Sequence, residues 1–309
     1  MVEQRKVSAR GTIKRRIQMS LGDRIFMCFV YLFLVLALLI VLYPMVFIVS
    51  ASFSDARKVT AGQVWLWPVG LTLMAYEAVF KNPLIVTSFF NSMFYMVFGT
   101  LINLALTVLA AYGLSRKNLV GRGLITGLLL FTMLFSGGII PSYLLMRNLG
   151  LTDTRWVLLL CSGLSIWNVI VTRTYYQQTI PEELHEAATL DGCDEFNFLA
   201  RVALPLSGPI LAVMALYYAV GHWNSYFNAL MYIRKDRLYP LQIVLRNILV
   251  LSNIDTTMIK DANVLLRMQG LKEQLKYSVS VVSTVPLLIL YPFVQRYFIK
   301  GVMVGALKG

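Results

Sequence analysis

Six apolar runs, each long enough to cross a bilayer, constrain this chain more than any other feature of it. A helix needs about 20 predominantly apolar residues to span a hydrocarbon core of about 30 Å. Such runs fall near 25–50, 88–113, 124–146, 156–174, 205–230 and 278–298. Inside lipid every backbone N–H and C=O must find an internal partner, so runs of this length read as helices. The expectation is an all-α membrane protein of six transmembrane helices. A basic segment over 1–24 precedes the membrane domain at 25–298, and a short tail follows over 299–309. A chain 58% hydrophobic and only 14% charged would expose large apolar patches if it were soluble. The first run is too long for a signal-peptide core and has no clear cleavage site, so it reads as a retained span.

Charge sets the expected orientation. Arg5, Lys6, Arg10, Lys14, Arg15, Arg16 and Arg24 precede the first span, and Arg116, Lys117 and Arg122 fill the short loop after the second. Lys and Arg near span ends mark the cytoplasmic side. The loop 231–276 carries eight Lys or Arg on the opposite side, where long segments obey the rule less strictly. Six spans return the carboxyl terminus, with Lys300 and Lys308, to the cytoplasm. The net charge of +13 does not point to nucleic acid, because no basic stripe interleaved with aromatics stands outside the spans. Membrane lipid is the expected partner of those charges. Cys28, Cys161 and Cys193 show no CxxC or metal spacing and read as buried free thiols.

Gly137, Gly138 and Pro141 interrupt the third run, Pro205 and Pro209 open the fifth, and Pro286 and Pro292 punctuate the sixth, so bends are expected there. Trp65 and Trp67 in the 52–85 loop read as headgroup-level anchors. Polar side chains within spans face the bundle or a wet cavity. Asn91, Asn103, Asn168 and Asn224 are therefore candidates for a pathway, with Trp167 and Trp223 beside them. Helix-to-helix hydrogen bonding is the competing role, and for a single Asn the commoner one. His222 reads as an interface residue, and His185 as facing solvent or a partner.

The segment 180–205 reads as helix, turn, helix. Pro181 suits a first helical position, Glu182 and Glu183 complement the dipole, and Gly192 is suited to a helix stop. Leu184, Ala187, Ala188 and Asp191 fall at offsets of three, four and seven and share one shallow face. Two adjacent alanines let another backbone come close. Glu186 and its acidic neighbours favour something other than lipid opposite this segment.

Glu186-Ala187-Ala188, then Gly192, Val202 and Leu204-Pro205 at this spacing resemble the signature of permease subunits of binding-protein-dependent ABC importers, with Val in place of Ile. Leu42-Tyr43-Pro44, Asn91-Ser92, Ala110-Ala111-Tyr112-Gly113-Leu114 and Trp223-Asn224-Ser225-Tyr226 resemble the MalG-like carbohydrate permeases. Phe135-Ser136-Gly137-Gly138-Ile139-Ile140-Pro141 and the ending Lys300 to Ala306 resemble the LplC-type subset, several members of which serve oligosaccharides from acidic polysaccharides.

The resemblance implies a type I importer permease fold in a bacterial plasma membrane, one half of a sugar pathway. It implies a second permease subunit, two ATPase subunits and an extracytoplasmic binding protein as partners. The segment around Leu184, Glu186, Ala187, Ala188, Asp191 and Gly192 would be the coupling helix that docks on the ATPase. In the 231–276 loop, Tyr232, Arg234 and Tyr239 would meet the binding protein. ATP and Mg would sit on the partner ATPase, with no cofactor on this chain. No GxxxxGK[ST], HExxH or GxSxG motif occurs, so the chain reads as non-catalytic. The alternatives are an importer of amino acids or peptides, and an ATPase-independent secondary transporter, for which an internal repeat and a mid-span charge are wanting.

Overall fold

The computed structural model describes residues 20–251, 270, 273–292 and 295. Arg5 to Arg16, Lys300, Lys308, the 252–269 stretch of the long loop and the 300–306 ending lie outside the described residues. Among the described residues there are helices and connections and no strand.

The chain divides into two units, Met1–Phe47 and Ile48–Gly309. The first holds most of helix α1 (Leu21–Ser52). At its start the Ser20 N–H donates to Asp23 Oδ2 at 3.1 Å, which satisfies a donor that a helix terminus leaves orphaned. Pro44 lies inside α1 without ending it.

In the second unit the helices run α2 (Ala56–Thr60), α3 (Met74–Lys81), α4 (Pro83–Ser115), α5 (Arg122–Leu134), α6 (Ile139–Asn148), α7 (Arg155–Leu160) and α8 (Ile166–Thr179). They continue as α9 (Glu182–Leu190), α10 (Glu195–Leu206), α11 (Gly208–Trp223), α12 (Phe227–Tyr232), α13 (Leu241–Arg246) and α14 (Glu273–Pro292). Helix α4 organises them. Asn82 caps it by accepting from the backbone of Leu84 and Ile85, and Pro83 occupies a position whose N–H would have no partner anyway. Its 33 residues reach roughly 50 Å at about 1.5 Å per residue.

Ser88, Ser92, Gly99, Asn103, Thr107 and Ala111 form a buried stripe of small and polar groups along α4. Such a stripe lets neighbouring backbones approach, which is how helices associate where lipid removes the hydrophobic drive. Helices α11 and α8 use it most, and α13, α7 and α3 also pack on α4. The closest approach is at Gly99, where a Cβ would meet the His222 ring at 2.4 Å. At the far side of α11, the Trp223 indole N–H donates to the Ser283 carbonyl and ties in α14.

Among the described residues three helices are long and apolar enough to cross a membrane by themselves, and two bent pairs bring the number to as many as five. The third run, expected as one kinked span, is α5 and α6 bent by 113°, with Gly138 at φ 86° in the break. Where the fifth run opens, α10 meets α11 at a bend of 83° at Ser207, between Pro205 and Pro209. Neither Pro can donate to the helical ladder, and the turn before Pro205 widens to a π-helix over Leu199–Ala203.

The fourth run was not expected to break, yet α7 and α8 are separated by residues 161–165. There Gly163 donates to the Leu160 carbonyl, and a Cβ on it would sit 3.0 Å from that oxygen. The start of the 231–276 loop is also no open loop. Leu241, Ile243 and Val244 of α13 are buried against the bundle, and the Leu241 N–H donates to Ser92 Oγ at 2.8 Å. The three cysteines are free as expected, but Cys28 is exposed and the other two are only partly buried.

Gly99→Val should force the His222 ring off α4 and lower stability by roughly 1–3 kcal/mol. The check is thermal unfolding of the detergent-purified chain, in which Gly113→Val, with open space at its Cβ, serves as the control.

Candidate functional site

Two places carry the residues singled out from the sequence. One is the helical hairpin α9–α10, and the other is a cavity of about 760 Å³ bounded mainly by the 161–165 break, the start of α8, the end of α11 and residues 224–228 after it.

The hairpin folds as its sequence directs. Pro181 is the N-cap of α9, one position before the place expected for it. Gly192 takes φ +80°, and the N–H groups of Gly192 and Cys193 donate to the carbonyls of Thr189 and Ala188, a doubly bonded helix stop. Asp194 then caps α10 by accepting from the Asn197 N–H at 2.7 Å.

Of the four residues expected on the free face of α9, Leu184, Ala187 and Asp191 are exposed and Ala188 is not. Ala188 packs against the apolar cluster of Val108, Ala111, Tyr112 and Phe198, so it does not lie open with Leu184, Ala187 and Asp191. His185 also turns inward, contrary to its expected exposure, and sits edge-on to Phe198 at 4.9 Å. The outward side carries Glu183, Glu186, Ala187 and Leu190. Leu190 is 90% exposed, an apolar side chain that sequence reasoning passed over, and Phe196 across the turn is 73% exposed.

A second omission is Glu195. Its Oε2 accepts from the Tyr112 hydroxyl at 2.5 Å and faces Arg116 Nε at 3.5 Å, while Oε1 meets His185 Nε2 at 3.0 Å. Lys117 pairs with Glu182 beside it. Partial burial pushes the Glu195 carboxyl up, but Tyr112, Arg116 and His185 outweigh it and hold the group below the usual carboxylate range. Glu182 is also held low, chiefly by its bond to Lys117.

The cavity gathers four of the six pathway candidates: Asn103, Trp167, Asn168 and Asn224. Asn103 donates to the Ser162 carbonyl at 2.9 Å, and its buried Oδ1 has no hydrogen-bond partner among the described residues. Trp167, Tyr217 and Phe227 expose more than half of their surface, and Tyr218 is fixed by a 2.6 Å bond to Thr107. Among the described residues no Asp, Glu, Lys or Arg lines the cavity.

Asn91 and Trp223 do not reach it. Asn91 is buried, donates to the carbonyls of Arg237 and Tyr239 and accepts from Arg155, so it is glue between α4 and the segment before α13. Trp223 is 1% exposed, packed edge-on against Phe89. Nor is Tyr232 accessible for a partner contact: it is buried and stacked on Tyr143 at 6.0 Å. Arg234, Lys235, Asp236 and Arg237 form the exposed tip, and Tyr239 bonds back to the Arg234 carbonyl.

Proteins of similar sequence include transport permeases of bacteria. Protein LplC of Bacillus subtilis (strain 168) is 39% identical over 270 residues, 87% of this chain and 90% of that protein. The polygalacturonan/rhamnogalacturonan transport system permease protein YtcP of the same organism is 38% identical over 288 residues, 93% of this chain and 99% of that one. In the crystal structure of a bacterial ABC transporter involved in the import of the acidic polysaccharide alginate, one chain matches with a TM-score of 0.84 and 36% identity. That match covers 91% of this chain and 99% of the other. No family model matches the chain.

Because the folded pKa of Glu195 is depressed, its contribution to stability is fully present above the unfolded value of about 4.3 and is lost as pH falls through the folded one. The stability difference between wild type and Glu195→Gln, followed by thermal unfolding, should stay flat from pH 7 to about pH 5 and shrink below it. A difference that shrinks near neutral pH would contradict this assignment.

Proposed function

The chain belongs to the permease subunits of sugar-importing ABC transporters, and on that footing we propose that it forms half of the pathway for an oligosaccharide released from an acidic polysaccharide. The observation that carries the cargo class is the lining of the cavity. Exposed Trp167, Tyr217 and Phe227 offer flat apolar faces that suit sugar rings. Asn168, Asn224, Asn228, Ser162 and Ser225 offer donors and acceptors for hydroxyl groups. The amino-acid or peptide alternative is disfavoured because, among the described residues, no carboxylate lines the cavity to pair with an ammonium group.

The names of the relatives, polygalacturonan and alginate among them, support a uronic-acid cargo. In this reading the chain recognises rings and hydroxyls and leaves the carboxylates unpaired by its own side chains. An extracytoplasmic binding protein delivers the sugar to the exposed tip at Arg234 to Arg237. A second permease supplies the other half of the pathway, and both termini lie in the cytoplasm.

Energy enters through the hairpin. Glu183, Glu186, Ala187 and Leu190 on α9, with Phe196 beyond the turn, combine an acidic rim and two exposed apolar groups. That combination suits a cleft on an ATPase subunit, where ATP and Mg would be held. The left-handed Gly192 sets the angle of the turn, and a side chain there would be strained by about 1–2 kcal/mol.

Two measurements test the reading. In liposomes containing the full transporter, Trp167→Ala should weaken uptake of an oligogalacturonide about 2- to 12-fold in KM. Trp223→Phe should lower melting temperature with KM unchanged. Glu186→Lys or Gly192→Val should abolish ATPase co-purification or sugar uptake while the permease still inserts. Uptake that needs no ATP, or a wild-type chain that never retains an ATPase, would overturn the importer assignment.

A further inference from the structure

The hairpin is joined to α4 by two kinds of contact, and they differ in what they can transmit. Ala188 and Cys193 rest against the apolar cluster near Ala111 and Phe198. Apolar contact is non-directional and lets surfaces slide. Besides the exposed Lys117–Glu182 pair, the polar contacts converge on Glu195, and charge-assisted bonds fix both distance and direction.

The three partners of that carboxylate come from three places. Tyr112 lies in the last turn of α4, Arg116 is the residue that ends α4, and His185 belongs to α9. The carboxylate itself stands in the first turn of α10. One side chain thus binds both helices of the hairpin to the end of α4. Packing reinforces it: the Arg116 guanidinium lies over the rings of Tyr112 and Phe198, at 5.4 Å and 5.5 Å.

Helix α4 runs without interruption from this joint to the cavity and beyond. Asn103 on the cavity wall stands about 14 Å up the helix from Tyr112, and Asn91, which holds the segment before α13, about 32 Å. A continuous helix carries a displacement along its axis, whereas α5–α6, α7–α8 and α10–α11 are all broken and can absorb one.

We propose that Glu195 is the positioning residue that makes α4 move with the hairpin, so that a push on α9 reaches the cavity wall at Asn103. The inference rests on the reading that the hairpin meets the ATPase. It adds a specific joint, Glu195 with Tyr112, Arg116 and His185, and a specific rod, α4, to that reading.

The experiment uses the complete transporter in liposomes, with its binding protein and an oligogalacturonide, and reads sugar imported per ATP hydrolysed. Glu195→Ala should keep the ATPase bound and hydrolysing while that ratio falls roughly tenfold. Glu195→Asp should recover part of it, and Tyr112→Phe, which removes one hydroxyl and no volume of consequence, should give a smaller fall in the same ratio. An unchanged ratio in Glu195→Ala and Tyr112→Phe, with only yield or melting temperature reduced, overturns the proposal and leaves hairpin docking intact. Loss of the ATPase from the wild-type complex would instead remove the docking reading on which it stands.

Discussion

The close approach of helices along α4 is the constraint on which the rest of the second unit depends. Lipid gives helices no hydrophobic reason to associate, so contact must come from fit and from hydrogen bonds. The buried stripe from Ser88 through Gly99 to Ala111 supplies the fit, and Asn91, Ser92, Asn103 and Thr107 supply the bonds. Because α4 is unbroken, it places three features at set distances: the knot with the segment before α13, the cavity wall, and the joint with the hairpin.

Much of this was legible in the chain, and the reasons it stopped being legible are physical. Hydropathy located the apolar runs, and glycine and proline marked the breaks at Gly138 and at Ser207. The break between α7 and α8 was missed because Ser162-Gly163-Leu164-Ser165 contains one glycine and no proline. Its signal was the close contact of Gly163 with the Leu160 carbonyl, which no local pattern reveals. The α13 segment was taken for loop because six residues are too few to declare a period, yet three of them are buried.

The site was legible by residue type but not by role. An asparagine in a span is equally suited to glue or to a wet wall, and only position on the helix decides. Asn91 and Asn103 lie on the same helix, and one closes a knot while the other reaches a cavity. The burial of Ala188 on α9 has a related reason. Spacing shows which residues share a side, but the direction of that side is set by what the hairpin leans on, here the cluster around Phe198. The role of Glu195 among its acidic neighbours is not legible in sequence because its partners, Tyr112 and Arg116, lie some eighty residues earlier in the chain.

The distribution of charge completes the argument. Charged side chains gather at the hairpin and at the exposed tip, while the cavity between carries none. A lysine or arginine in that cavity would have to be desolvated or paired, and for the proposed anionic cargo it would also create a deep well. Passage requires binding favourable enough to admit the solute and weak enough, over several sites, to let it go. Aromatic faces and amides meet that condition, since each contact is small and none is irreplaceable. An uncharged wall is therefore compatible with a charged sugar.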